Sequence, residues 1–259
     1  MRTRREFLHA LGVVGAAGLL PVMSCGARGS AKRAAFKPIK FGIISDIHGN
    51  YAALEAVSTE LERLGVSRII CLGDVAGYYC HINECCAFLQ KKNIVTLMGN
   101  HDWYIVNGGK CPRSNSANRC LEYQNSVLES GHREWLASLK PQAHIEILSL
   151  VHGGWKDPLD EYMLPSADYF RPLAGSFFAS GHTHVPCVWR GAQKTYCNPG
   201  SVGQPRDGDN RASFAVFDHS GFTLHRVAYD IQRTQRAMRI AGFDPYFYDN
   251  LSGGTKIGG

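Results

Sequence analysis

Five short segments of this chain end in side chains that bind metal ions. Asp46 and His48 stand two residues apart, Asp74 follows Gly73, and Gly99-Asn100-His101-Asp102 adds a neutral amide, an imidazole and a carboxylate. His152 precedes Gly153-Gly154, and His182 and His184 flank Thr183. Carboxylate and amide oxygens with imidazole nitrogens make a mixed N/O donor set that suits divalent first-row ions. Each segment alone has an ordinary explanation: a His after a strand is a satisfied loop residue, and Asp or Asn beside Gly forms a turn. The ordinary explanations do not account for the set. Each segment also carries a glycine that lets backbones approach closely, so the pattern predicts one shared metal site. No cysteine spacing matches a zinc ribbon, and no thiol is read as a ligand.

The donors need elements that bring them together. Residues 40–45, 68–72 and 94–98 read as strands, and residues 50–64 and 82–91 as helices. The first helix carries Leu54, Val57, Leu61 and Leu64 at helical spacing and stops at Gly65. This alternation predicts a largely parallel sheet covered by helices. Residues 101–139 are mostly polar and helical, with Trp135, Leu136 and Leu139 as packing residues. Short β-like runs follow at 143–148, 149–151, 175–180, 185–190, 194–198, 213–218 and 222–227, then a helix at 231–241. Each donor then sits just past the carboxyl end of an apolar strand, where open α/β sheets bind ligands.

The formal charge of +6 invites a nucleic-acid reading. It is carried ahead of Phe41, where Arg2, Arg4, Arg5, Arg28, Lys32, Arg33, Lys37 and Lys40 face one acid, Glu6. The remainder is almost neutral, which argues against an extended nucleic-acid surface. Thr3-Arg4-Arg5-Glu6-Phe7-Leu8, followed by a Gly/Ala-rich apolar stretch to Met23, resembles a twin-arginine export signal. A retained membrane anchor is the alternative, although His9 and several glycines interrupt the run. Val22-Met23-Ser24-Cys25 resembles a lipoprotein-processing box that would leave Cys25 lipidated; ordinary cleavage nearby is the alternative. The expected organisation is a leader at 1–25, a basic linker at 26–38, a folded domain at 39–245 and a loose Gly-rich tail at 246–259. The expected location is the periplasm or the outer face of the membrane, with membrane contact through a lipidated or basic N-terminus. Disulfides are permitted there. Cys187 and Cys197 could face each other across a hairpin, Cys111 and Cys120 could close a short loop, and Cys71 reads as an inert core thiol.

The segments Asp46-Ile47-His48-Gly49-Asn50, Gly73-Asp74, Gly99-Asn100-His101-Asp102, Val151-His152-Gly153-Gly154 and Gly181-His182-Thr183-His184 resemble, in order, the motifs of the calcineurin-like metallophosphoesterase superfamily. The stretch from Asn198 to Arg206 resembles the sixth segment of its small bacterial and archaeal phosphodiesterase branch. The resemblance implies a single α/β domain, a two-sheet αββα sandwich. It implies two divalent metal ions, one held by Asp46, His48 and His184 and the other by Asn100, His152 and His182, with Asp74 bridging both. A metal-bridged hydroxide would attack the phosphate in line. Mn, Fe, Ni, Co and Zn all suit the ligands; Mn or Fe is favoured if metal is loaded before export. His101 would protonate the leaving group with Asp102 orienting it, or else only position substrate. Arg206 and Asn100 would contact the substrate phosphate, although Arg206 also reads as a structural donor. The implied activity is hydrolysis of a small phosphate ester, a diester first, with a phosphomonoesterase, a protein phosphatase or a non-catalytic metal-binding scaffold as alternatives. The chain departs from its relatives after Gly77-Tyr78, where Gly-Pro is usual and Tyr79-Cys80-His81 stands here. Oligomeric state is not legible.

Overall fold

The computed structural model describes residues 40–259. The leader, Cys25 and the linker lie outside the described residues. Among the described residues, no helix is long and apolar enough to cross a membrane.

The chain opens with β1 (Phe41–Ile44), α1 (Tyr51–Arg63), β2 (Arg68–Cys71), α2 (Ile82–Lys91) and β3 (Val95–Thr96). All four β1 residues are buried because both faces of the strand are covered. Phe41 and Ile43 point into the core, while Gly42 leaves room for Leu61 of α1, which a Cβ there would meet. Asn50 caps α1 by accepting from the Ala53 amide, and Leu54, Val57 and Leu61 form its buried stripe. The polar middle folds as three helices, α3 (Asn100–Asn107), α4 (Asn115–Val127) and α5 (Ser130–Ser138). Gly108, in the left-handed conformation, ends α3.

A second group of strands follows: β4 (Gln142–Ile145), β5 (Leu148–Val151), β6 (Phe177–Ala179), β7 (Cys187–Arg190) and β8 (Thr195–Asn198), with the short helix α6 (Ala167–Phe170) between β5 and β6. Then β9 (Ala212–Phe217) and β10 (Phe222–Val227) return to the first sheet. The two sheets run β10-β9-β1-β2-β3 and β4-β5-β6-β8-β7. The central pairs β1/β2 and β5/β6 are parallel, so both sheets aim carboxyl ends at a common edge. Phe41, Ile43, Ile70, Leu97 and Phe217 of one sheet meet Leu148, Leu150, Ala179 and Cys197 of the other. Each large apolar side chain buried there contributes about 1.5–3 kcal/mol. Outside the second sheet, Phe170 of α6 packs on Phe178 and Tyr196. This is the two-sheet α/β sandwich that the resemblance implies.

Two expectations are corrected. The C-terminal segment is not loose, and the folded unit continues past residue 245. After α7 (Ile231–Ile240), a 3-10 turn at Pro245–Phe247 and α8 (Asn250–Gly253) pack back on the domain. Leu251 and Ile257 are buried, Gly254 caps α8 in the left-handed conformation, and its carbonyl accepts from the Gly208 amide. Glycines that look like slack in the sequence make this turn.

The second correction concerns cysteines. All eight in the described residues are free. In the β7/β8 hairpin, Cys187 pairs with Asn198 and Val188 with Cys197. That one-residue offset puts the two sulfurs on opposite faces of the sheet: Cys197 lies in the layer between the sheets, and Cys187 packs outside against the Phe170 cluster. Alkylation of denatured, non-reduced protein followed by peptide mapping is expected to find Cys187 and Cys197 both modified. A peptide pair joined through them would contradict this register.

A buried metal-binding centre and the cavity above it

Loops from the carboxyl ends of β1, β2, β3, β5 and β6 converge at the shared edge. They form two groups of candidate ligands, Asp46 with His48 and His184, and Asp74 with His152 and His182, all buried. Within each group the offered atoms lie within 4.8 Å of one another. Asn100 Oδ1 is 3.1 Å from His152 Nε2 and joins the second group. The Asp74 carboxylate reaches both groups, with Oδ2 3.6 Å from His48 Nε2 and 3.4 Å from His152 Nε2. All seven residues predicted to bind metal are therefore in one place.

The backbone is bent to achieve this. Asp46, His48, Asp74, His182 and His184 all have positive φ, five of the eight such non-glycine residues in the described chain. Left-handed backbone costs an L-residue roughly 1–2 kcal/mol, so this concentration marks a functional loop cluster. The strain is held by neighbours. Asp46 N donates to Gly73 O, His48 N to Asp74 O and Gly203 N to Asp46 O, which laces the first, second and sixth segments together. Gly77 approaches so closely that a Cβ there would overlap the His48 ring.

Ring orientation is fixed from behind. His48 Nδ1 lies 2.8 Å from Ala76 O, His152 Nδ1 3.0 Å from Leu72 O, and His184 Nδ1 2.6 Å from Gln204 O. A carbonyl only accepts, so each Nδ1 carries a proton, and the neutral rings of His48 and His184 present an Nε2 lone pair inward. The Nε2 atoms of His48 and His184 are 3.0 Å apart. Burial holds both rings well below the ordinary imidazole pKa, so neither supplies a proton to relieve the contact. Asp46 Oδ1 and His182 Nε2 are buried without a hydrogen-bond partner. Burial pushes Asp46 up to about 6. At His152 burial works downward, but the carboxylates of Asp74, Asp46 and Asp102 together outweigh it and raise the ring to about 9. Opposed lone pairs, orphaned acceptors and crowded carboxylates fit divalent cations.

The chain belongs to the calcineurin-like phosphoesterase superfamily, whose domain matches residues 39–221. A metallophosphoesterase of Sphaerobacter thermophilus is 32% identical and superimposes with a TM-score of 0.75, over 84% of this chain and 99% of that one. A hypothetical protein of Pyrococcus horikoshii shares the fold at 20% identity, with a TM-score of 0.75 over 84% of this chain and 99% of its own. An uncharacterized protein of Methanocaldococcus jannaschii is 32% identical over 216 residues, 74% of this chain and 88% of its own length. The protein is a phosphoesterase by family, and the family implies divalent metal ions.

Of the other predicted residues, His101 stands beside the ligands with its ring edge-on to His48 at 5.0 Å and tilted against Tyr78 at 5.2 Å. Burial holds it below the usual imidazole pKa, and its Nδ1 has no partner. Asp102 does not orient it, contrary to the sequence expectation. The Asp102 carboxylate instead accepts from three backbone amides, those of Asp74, Ala76 and Gly99, at 2.8, 2.8 and 2.9 Å. It ties the loops after β2 and β3 together and holds Asp74 in position. Arg206 lies over the Tyr78 ring and donates to the Tyr78 hydroxyl and to Gln204 Oε1.

The sequence reading missed several neighbours. Asp160 forms a two-pronged ion pair with Arg113 and lies 3.5 Å from His182 Nε2. Tyr162 packs on His182 with centroids 4.3 Å apart, and Arg113 lies over the Tyr162 ring. Gln124 of α4 clamps the loop after Asp74, accepting from Gly77 N and donating to Tyr79 O. None of these lies in a motif, and the burial of Gln124 shows only in the folded chain.

Replacing Asp102 by Ala strands three buried amides, each costing about 1–3 kcal/mol. Urea unfolding of Asp102→Ala is expected to show a loss of at least about 3 kcal/mol. Stability within about 1 kcal/mol of wild type would remove Asp102 from this role.

Proposed function

We propose that this protein hydrolyses small phosphodiesters at a centre of two divalent cations, with Asp74 shared between them. The reading is carried by the Asp74 carboxylate, which faces an imidazole of each ligand group. When bound, two cations supply the Lewis acidity that activates water and neutralises phosphate charge. Asp46, His48 and His184 would hold one, and Asn100, His152 and His182 would hold the other. Asn100 lines the cavity above and would contact the non-bridging oxygens of the scissile phosphate, and Arg206, in the same lining, would contact a substrate phosphate oxygen. His101 lines the same cavity and, as an imidazolium, would pass a proton to the departing oxygen; burial disfavours that charged form, and the anionic ester beside it offsets the burial.

The diester preference is supported by the sixth segment, Asn198 to Arg206. A cavity of about 340 Å³ suits a small ester better than a folded protein substrate. All seven ligand residues and His101 are retained, which favours catalysis over a scaffold. The N/O donor set suits Mn, Fe, Ni, Co or Zn, and loading before export would favour Mn or Fe. We propose export by the twin-arginine route from the leader's residues, with metal acquired before transport and Cys25 as a lipid attachment point.

The test is turnover of bis(p-nitrophenyl) phosphate by chelator-treated protein on adding Mn²⁺. Asp74→Asn is expected to lose at least about 10²-fold in turnover and to weaken both metals, since deleting one outer partner of a ligand already costs about 10–100-fold. His184→Ala should weaken mainly one. Wild-type turnover by Asp74→Asn would end the shared-carboxylate reading. His101→Ala is expected to keep its full metal content and lose about 10²–10⁴-fold in kcat. An unchanged kcat would restrict His101 to positioning.

A further inference from the structure

The cavity is lined by cations from three distant parts of the chain. Arg113 comes from the loop between α3 and α4, Arg206 from the segment after β8, and Lys256 from the C-terminal segment. The lining carries a single acid, Asp74, which belongs to the ligand groups. Arg113 is balanced by Asp160. Among the described residues, Arg206 and Lys256 have no carboxylate partner. Arg206 is half-buried and rests on neutral acceptors, the Tyr78 hydroxyl and the Gln204 amide oxygen. A guanidinium partly removed from water and left without a counter-charge is an incomplete anion site.

Lys256 is held at the rim by its neighbours. Ile257 is buried, and the carbonyl of Gly254 accepts from the Gly208 amide. The anchor beneath is Tyr79, whose hydroxyl accepts from Gln204 Nε2 at 3.1 Å and from Asn250 Nδ2 at 3.2 Å. Gln204 in turn holds Arg206. One buried phenol therefore links the segment that carries Lys256 to the residue that positions Arg206. Tyr79 is where this chain departs from the Gly of the family pattern, and Lys256 lies beyond residue 221, where the superfamily match ends.

We propose that the cavity selects phosphate esters carrying a second phosphate-like group, bound between Arg206 and Lys256. The proposal rests on the phosphoesterase reading and names its substrate class. With the metal-loaded protein at fixed free Mn²⁺, a nucleoside 3′,5′-bisphosphate and the 5′-monophosphate of the same nucleoside are compared as inhibitors of bis(p-nitrophenyl) phosphate turnover. The bisphosphate is expected to inhibit about tenfold more tightly, as two added charge contacts allow. Lys256→Gln should weaken the bisphosphate about fivefold, the size of one solvent-exposed charge contact, and Lys256→Glu should weaken it further. Inhibition by the monophosphate should change less than about twofold in both variants. Lys256 is exposed, so both variants are expected to melt with the wild type. Equal inhibition by the two nucleotides, or an equal loss of both in Lys256→Gln, overturns the proposal. If the diester is not turned over, the hydrolysis reading fails, and calorimetric binding of the same nucleotide pair to the metal-loaded protein still decides this one.

Discussion

Imidazole lone pairs that point at each other do not stay buried without a cation near them. His48 and His184 are fixed in that relation, 3.0 Å apart, by carbonyls behind each ring. The rest of the centre follows from that constraint. Carbonyl acceptors choose the tautomer, the tautomer aims the lone pair, and the aim determines where charge must sit. Three carboxylates share the interior with these rings, and Asp102 is kept apart from the metal-facing set by three amide donors. The cost of gathering like groups is met by the two sheets, whose apolar interface fixes the strand ends from which every donor loop departs.

The fold was legible wherever burial imposes a period. The first three strands and the helices α1 and α2 read clearly, because β1 is covered on both faces and α1 buries one stripe. The β4/β5 turn was misplaced, because the sequence divides the two runs between residues 148 and 149. It consists of Glu146 and Ile147, with Glu146 in left-handed backbone, and contains none of the residues that announce a turn. The polar middle read as helix without its breaks, since its helices bury few residues each and the division falls at Gly108 and in the loop that holds Arg113.

The site was legible in its ligands and less so in what supports them. Asp46, His48, Asp74, His152, His182 and His184 are distinctive because metal chemistry restricts residue type and strand ends restrict position. Asp102 was misread because its partners are backbone amides at positions 74, 76 and 99, and an amide has no letter in a sequence. Arg113, Tyr162 and Lys256 come from loops without periodicity, so only the folded chain shows that they share a cavity.

The offset between Cys187 and Cys197 has a consequence for what holds the domain together. Sulfurs on opposite sides of one sheet demand no cross-link, and none of the eight described thiols is bonded. The described domain takes this shape with its thiols free, and the two sheets are held together by their apolar interface and not by a covalent cross-link between Cys187 and Cys197.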